Sequence, residues 1–246
     1  MNKVEYQIER KRQPIFNLFK NIVKVFSKKV EVVVLGEKLK DKCVYVCNHA
    51  NKMGPLIFET YLPVYCAKWG ASEMLSNYKE RFKYLRDVLY MQKNHYKKGK
   101  ATLKATYEAI FSKYIYKGVK VLPTYRDARE ISTIKKSLQA LEKGVGIMIF
   151  PEDSSDGYFN EMKRFLAGFV LLMKAYNKKH GEDIPVRPVY YHKGKRLIVV
   201  GEEVYYSNYQ KVNYDREKIA EDVKNKVNQL YRDVEEGKIK KVAIKN

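Results

Sequence analysis

In the stretch Val44–Pro55, VYVCNHANKMGP, an apolar run stops at Asn48 and leaves His49 among asparagine, lysine and glycine. Residues 43–48 are expected to form a strand. Pro55 then stands where helices accept proline, in the first turn, ahead of Leu56, Ile57, Phe58 and Tyr61, with Pro63 as the stop. His49 therefore falls in a strand-to-helix loop, the place where an open α/β sheet carries its chemistry. A histidine there is either a polar edge residue or a reacting group.

The same pattern recurs on both sides. Upstream, VEVVVLG (Val30–Gly36) is a β-branched strand. Downstream, VKVLPTYRD (Val119–Asp127) and GVGIMIFPEDSS (Gly144–Ser155) are apolar runs that end in polar residues, and IPVRPVYY (Ile184–Tyr191) and RLIVVGEEV (Arg196–Val204) supply the last strands. Amphipathic helices are expected over 131–143, 162–177 and 215–236, the last stopped by Gly237. Residues 72–116 are expected to be mostly helical and broken at 94–99. One stripe there holds Tyr78, Phe82, Leu85 and Leu89, and another Tyr107, Ile110, Phe111 and Tyr114. Both are expected to pack in the core, with a grip on an acyl chain as the other use. The fold class is α/β: one domain with a central mixed, mostly parallel sheet flanked by helices.

An N-terminal amphipathic helix precedes it. Across Gln13–Lys29, Ile15, Phe16, Leu18, Phe19, Ile22, Val23, Val25 and Phe26 recur at helical spacing while lysines gather on the other side. Such a helix either lies in an anionic membrane interface or packs on the core. Residues 1–29 are accordingly set apart as a basic membrane-associating segment, and residues 30–246 as the α/β domain.

With 45% apolar and 31% charged residues the chain can bury enough surface to fold. Its net charge of +21 favours anionic partners: nucleic acid, phospholipid headgroups or an acidic carrier protein. A compositional bias of an A/T-rich genome would raise the charge equally well. Cys43, Cys47 and Cys66 lack the spacing of a disulfide scaffold and no leader-like segment opens the sequence, so a reducing, cytoplasmic setting is expected. No apolar run approaches the ~20 residues of a membrane-spanning helix.

The sequence has no nucleophile elbow, P-loop, dinucleotide fingerprint or C-x-x-C pair, and implies no metal or cofactor. Cys47 and His49, two apart, are conceivable as a thiol–imidazole pair, though Cys47 reads more simply as a small core residue. What remains is a set of polar groups at successive strand ends: Asn48 and His49, Arg126, Phe150–Glu152, and the PVRPV run at 185–189.

In this order the blocks resemble the glycerolipid acyltransferases, the family that includes 1-acylglycerol-3-phosphate O-acyltransferase. The likeness spans roughly residues 13–235 and includes IVVGE at 198–202. The resemblance implies that His49 is the general base that takes a proton from an acceptor hydroxyl as it attacks an acyl thioester, acyl-CoA or acyl carrier protein. Glu152 would position a lysophospholipid acceptor, with Asn48 and Ser154 lining its site, and Arg126 would hold its phosphate. A place in phospholipid biosynthesis at the cytoplasmic face of a membrane follows from the same likeness.

Two departures stand out. The family's aspartate, five residues after the histidine, is Gly54, and F-P-E-G-T-R-S is reduced to FPEDSS. Asn51, Glu59, Glu152 and Asp153 are the groups left to orient His49, foremost Asn51 and Asp153. Gly54→Asp is expected to raise the rate if the aspartate reaches the imidazole and to lower it if the loop has no room. A catalytically inactive relative that binds lipid or carrier protein is the alternative, and a basic nucleic-acid-binding protein the second.

Overall fold

The computed structural model describes residues 14–26, 29–50, 54–125 and 127–239. Seven short runs form one sheet: β1 (Glu31–Val34), β2 (Val44–Cys47), β3 (Cys66–Ala71), β4 (Val121–Thr124), β5 (Gly146–Ile149), β6 (Val186–His192) and β7 (Leu197–Val200). Their spatial order is β1-β7-β6-β2-β5-β3-β4, and all neighbours are parallel except β6 and β7. This is the mixed, mostly parallel sheet that the apolar runs predict.

Around it lie α1 (Pro14–Phe26), α2 (Gly54–Tyr61), α3 (Tyr78–Lys83), α4 (Lys98–Gly118), α5 (Glu130–Glu142), α6 (Gly168–His180), α7 (Tyr206–Lys211) and α8 (Arg216–Glu235). The two-residue period of the strands sorts side chains between two layers. Val44 and Val46 of β2 join Ile147, Ile149, Leu141, Phe169, Leu172 and Val223 on the side of α5, α6 and α8. Tyr45 and Cys47 join Met148, Val189, Ile57 and Phe58 on the α2 side. Both faces of β2 are thereby dry, which suits a central strand of a largely parallel sheet.

Strand β3, CAKWGA, was not foreseen, because it holds no β-branched residue and carries a lysine. Pairing on both sides, with β5 and β4, makes it a strand regardless of propensity. Its Lys68 is almost wholly buried and ion-paired with Glu59 of α2, also buried. The helix expected from residue 162 starts at Gly168 instead, since Phe165 is drawn into an antiparallel bridge with Glu152 and the Met162 N–H donates to the Asn228 side chain.

The aromatic stripes need a correction. The first packs inward through Leu85 and partly buried Phe82 and Leu89, with Tyr78 exposed. The second does not: α4 buries Ala101, Ala105, Ala109 and Ser112 and turns Tyr107, Ile110, Phe111 and Tyr114 to solvent. Helix α1 divides its apolar residues. Phe16 is buried against Val119 and Val121 beside Gly118, while Leu18, Ile22 and Val25 are exposed.

The Lys68–Glu59 pair ties α2, the helix that closes the His49 loop, to β3. Replacing Lys68 with Met removes the ammonium that a buried carboxylate faces, and should cost about 3–5 kcal/mol. Adding Glu59→Leu should recover most of that loss in urea unfolding. Equal midpoints for Lys68→Met and the wild type would show that the pair holds nothing.

Candidate active site

The register of β2 against β5 builds the site. Val46 pairs with Ile149, and His49 and Glu152 each lie three residues further on, past the C-terminal ends of adjacent parallel strands. The His49 backbone N–H donates to Glu152 Oε2 over 3.2 Å, closing the gap between the two loops. The half-buried imidazole lies between two rings, with centroids 5.4 Å from Phe150 and 5.1 Å from Tyr158. Just after it Ala50 takes a left-handed backbone, φ 44°, unusual for a residue with a Cβ.

Glu152 is 8% exposed. Burial pushes its pKa up to about 7, against the pull of the His49 and Phe159 backbone N–H groups and of the Lys93 ammonium. Its carboxyl therefore changes charge near neutral pH, in the range where proton transfer to and from side chains is efficient.

Lys93, which sequence reasoning missed, comes from the far side. Residues Tyr84–Lys93 continue α3 as a π-helix, a wide winding that recurs at functional sites. At its end Lys93 Nζ donates to Ser154 Oγ over 2.7 Å. Ser154, buried, also bonds the hydroxyl of Tyr158, whose pKa burial lifts to about 12, so this phenol is neutral at physiological pH. Left-handed Gly157, φ 106°, lets the 153–158 loop pass the Lys93 carbonyl and the His95 ring. The available signal was MQKNH, a polar stop to an aromatic helix; its distance in sequence from His49 hid it.

Other sequence candidates are placed as follows. Asn48 has both ends of its amide engaged by one residue: Nδ2 donates to the Tyr191 carbonyl over 3.2 Å, and Oδ1 accepts from the Tyr191 N–H over 2.8 Å. It pins the loop to β6. Asp153 accepts from the Ser155 N–H and pairs with Arg164. Cys47 is fully buried, and desolvation holds its thiol well above the ordinary range, so it cannot supply a thiolate at neutral pH. Asn51 and Arg126 lie outside the described residues.

Gly54 is decided by space. A Cβ built there would stand 2.0 Å from the His49 carbonyl oxygen and 2.8 Å from its carbon. Both are backbone atoms of the site loop, so no side chain fits unless α2 moves. Of the two outcomes expected for an aspartate at this position, the geometry supports the downward one.

Gly54→Asp and Gly54→Ala should therefore lower stability alike, by about 2–4 kcal/mol, through overpacking. Aspartate matching wild type in thermal unfolding would refute the steric account. A second test concerns Glu152. A carboxyl with a raised folded pKa gives full stability below its unfolded value and loses it as pH rises toward the folded one. Between about pH 4.5 and 7 the melting temperature of wild type should thus fall relative to Glu152→Gln. A constant difference across that window would mean that the group is not strained by burial.

In overall shape the chain is similar to the crystal structure of the 1-acyl-sn-glycerophosphate acyltransferase of Thermotoga maritima. The TM-score is 0.49 at 16% identity, covering 90% of this chain and 80% of that one. No protein-family model and no curated protein matches the chain.

Proposed function

We propose that the protein is an acyltransferase that moves an acyl group from a thioester, acyl-CoA or acyl carrier protein, to a lysophospholipid such as 1-acylglycerol-3-phosphate. The observation that carries the reading is the meeting of His49 with Glu152. Two sequence blocks that resemble one family's motifs, far apart in the chain, converge on one hydrogen-bonded corner at the sheet's C-terminal edge.

In this reading the His49 imidazole accepts the acceptor hydroxyl's proton as the oxygen attacks the thioester carbonyl. A C–O bond forms, the C–S bond breaks, and the imidazolium returns the proton to the departing sulfur. Phe150 and Tyr158 shield the ring from water and strengthen local electrostatics. Glu152 fixes the His49 backbone. Lys93 supplies a cation for the acceptor's phosphate, alongside the role that the resemblance gives Arg126. The setting would be peripheral, at the cytoplasmic face of an anionic membrane; among the described residues no helix is long and apolar enough to cross one.

One observation favours the inactive reading: position 54 has no room for the carboxylate that the family places there. Wild-type turnover decides between the two. With lysophosphatidic acid and either donor, His49→Ala should cut kcat at least about 100-fold. Lys93→Met should raise KM for lysophosphatidic acid about tenfold and leave that for uncharged monoacylglycerol unchanged. Turnover that survives His49→Ala would end the proposed mechanism, and equal KM changes for both acceptors would remove the phosphate role of Lys93.

A further inference from the structure

Helix α4 is amphipathic in the reverse sense for a helix on a protein core. Its inward face is Ala101, Ala105, Ala109 and Ser112. Leu103, Tyr107, Ile110, Phe111 and Tyr114 point outward, each between 48% and 66% exposed. Spacings of three and four residues gather these five into one stripe along the helix. A contiguous apolar face of this kind marks a contact surface, whereas single exposed apolar residues do not.

Charge selects the occupant. Lys100 and Lys104 border the stripe on one side, their ammonium groups over the Tyr96 ring, and exposed Lys113 and Lys117 border it on the other. A second copy of this chain, itself at +21, would set lysine against lysine across a shared face. An anionic lipid surface meets both features, taking the apolar side chains below its headgroups and the lysines among them. The tyrosines suit that depth, with an apolar ring and a polar tip. Phe16 of α1 packs against Gly118 at the end of this same helix, and α1 brings a second exposed set, Leu18, Ile22 and Val25.

We propose that the outward face of α4 is a docking surface for anionic phospholipid membranes, acting beside α1. The inference deepens the peripheral-membrane reading above and rests on it. It also has a consequence for the site. The π-helix that ends in Lys93 packs on α4 through Leu85 and Tyr90 against Ala101, Ala105 and Ala109, so a docked α4 would carry the cation at the site on its inner side.

The test uses the full chain and sedimentation with phosphatidylglycerol–phosphatidylcholine vesicles, with pure phosphatidylcholine as the control. Tyr107→Ser, Phe111→Ser and Tyr114→Ser combined should weaken partitioning at least about tenfold with thermal unfolding unchanged. Lys113→Glu with Lys117→Glu should weaken it on the anionic vesicles alone, an effect that salt erases. Wild-type partitioning by the α4 triple variant, with loss in Leu18→Ser, Ile22→Ser, Val25→Ser, would overturn the inference and leave the peripheral reading standing on α1. No binding by the wild-type chain would overturn both. If the α4 triple variant instead dissociates a dimer, or loses retention on DNA, and vesicle binding is intact, the face belongs to a second copy or to nucleic acid and the inference falls. None of these readouts depends on turnover, so a failure of the acyltransfer assay is separable from them.

Discussion

The parallel register of β2 on β5 is the constraint on which the rest of the site depends. Both strands are dry on both faces, so a slip of one residue would move Val44 and Val46 into the space of Tyr45 and Cys47. That penalty fixes where each strand stops, and so sets His49 opposite Glu152. The strands on either side of this pair fasten what lies near them: Asn48 grips β6, and α2 is held to β3 through Glu59 and Lys68.

The strands that obey local rules were legible in the sequence. Apolar runs ending in polar residues marked β1, β2, β4, β5, β6 and β7, and the resemblance pointed to His49, Glu152 and Ser154. What stayed hidden depends on tertiary context. CAKWGA has little strand propensity beyond that of Trp69, and it becomes β3 because two neighbours offer their edges. The stripe on α4 has the spacing of a buried face, and periodicity alone does not say which side of a helix meets the core. Small residues do: Ala101, Ala105 and Ala109 let α4 approach the π-helix closely, which leaves the large residues outside. Lys93 was invisible for a related reason, since the π-helix that aims it is not written in any short motif.

The charges of the site stand in different places from those of the family pattern it resembles, with Asp153 where that pattern has a glycine. Where that pattern has an aspartate, backbone atoms fill the space at Gly54; where it has the arginine of F-P-E-G-T-R-S, Ser155 stands instead. Lys93 enters from a different element and reaches the serine one position earlier. An ammonium on a long stem holds an anion as a point charge, without the paired geometry of a guanidinium. Under the proposed function such a site would bind a phosphate with less demand on its orientation than an arginine makes, which suits acceptors that vary around the phosphate.

The missing carboxylate need not leave the imidazole without a negative neighbour. Glu152 has its midpoint near 7 because burial opposes its charge, and it accepts a hydrogen bond from the backbone of His49 itself. In the proposed reaction His49 becomes an imidazolium, and a new positive charge close to a buried carboxyl lowers that carboxyl's pKa. Under the proposed function, protonation of the ring would favour release of the Glu152 proton, and the resulting carboxylate would stabilise the ring's charge. A fixed aspartate would supply its charge at all times and hold the ring in one tautomer. A half-protonated glutamate that accepts from the His49 backbone supplies charge mainly when the ring demands it, and does nothing for the tautomer. This arrangement trades orientation for responsiveness, and its signature would be a pH–rate profile whose two limbs shift together when either residue is changed.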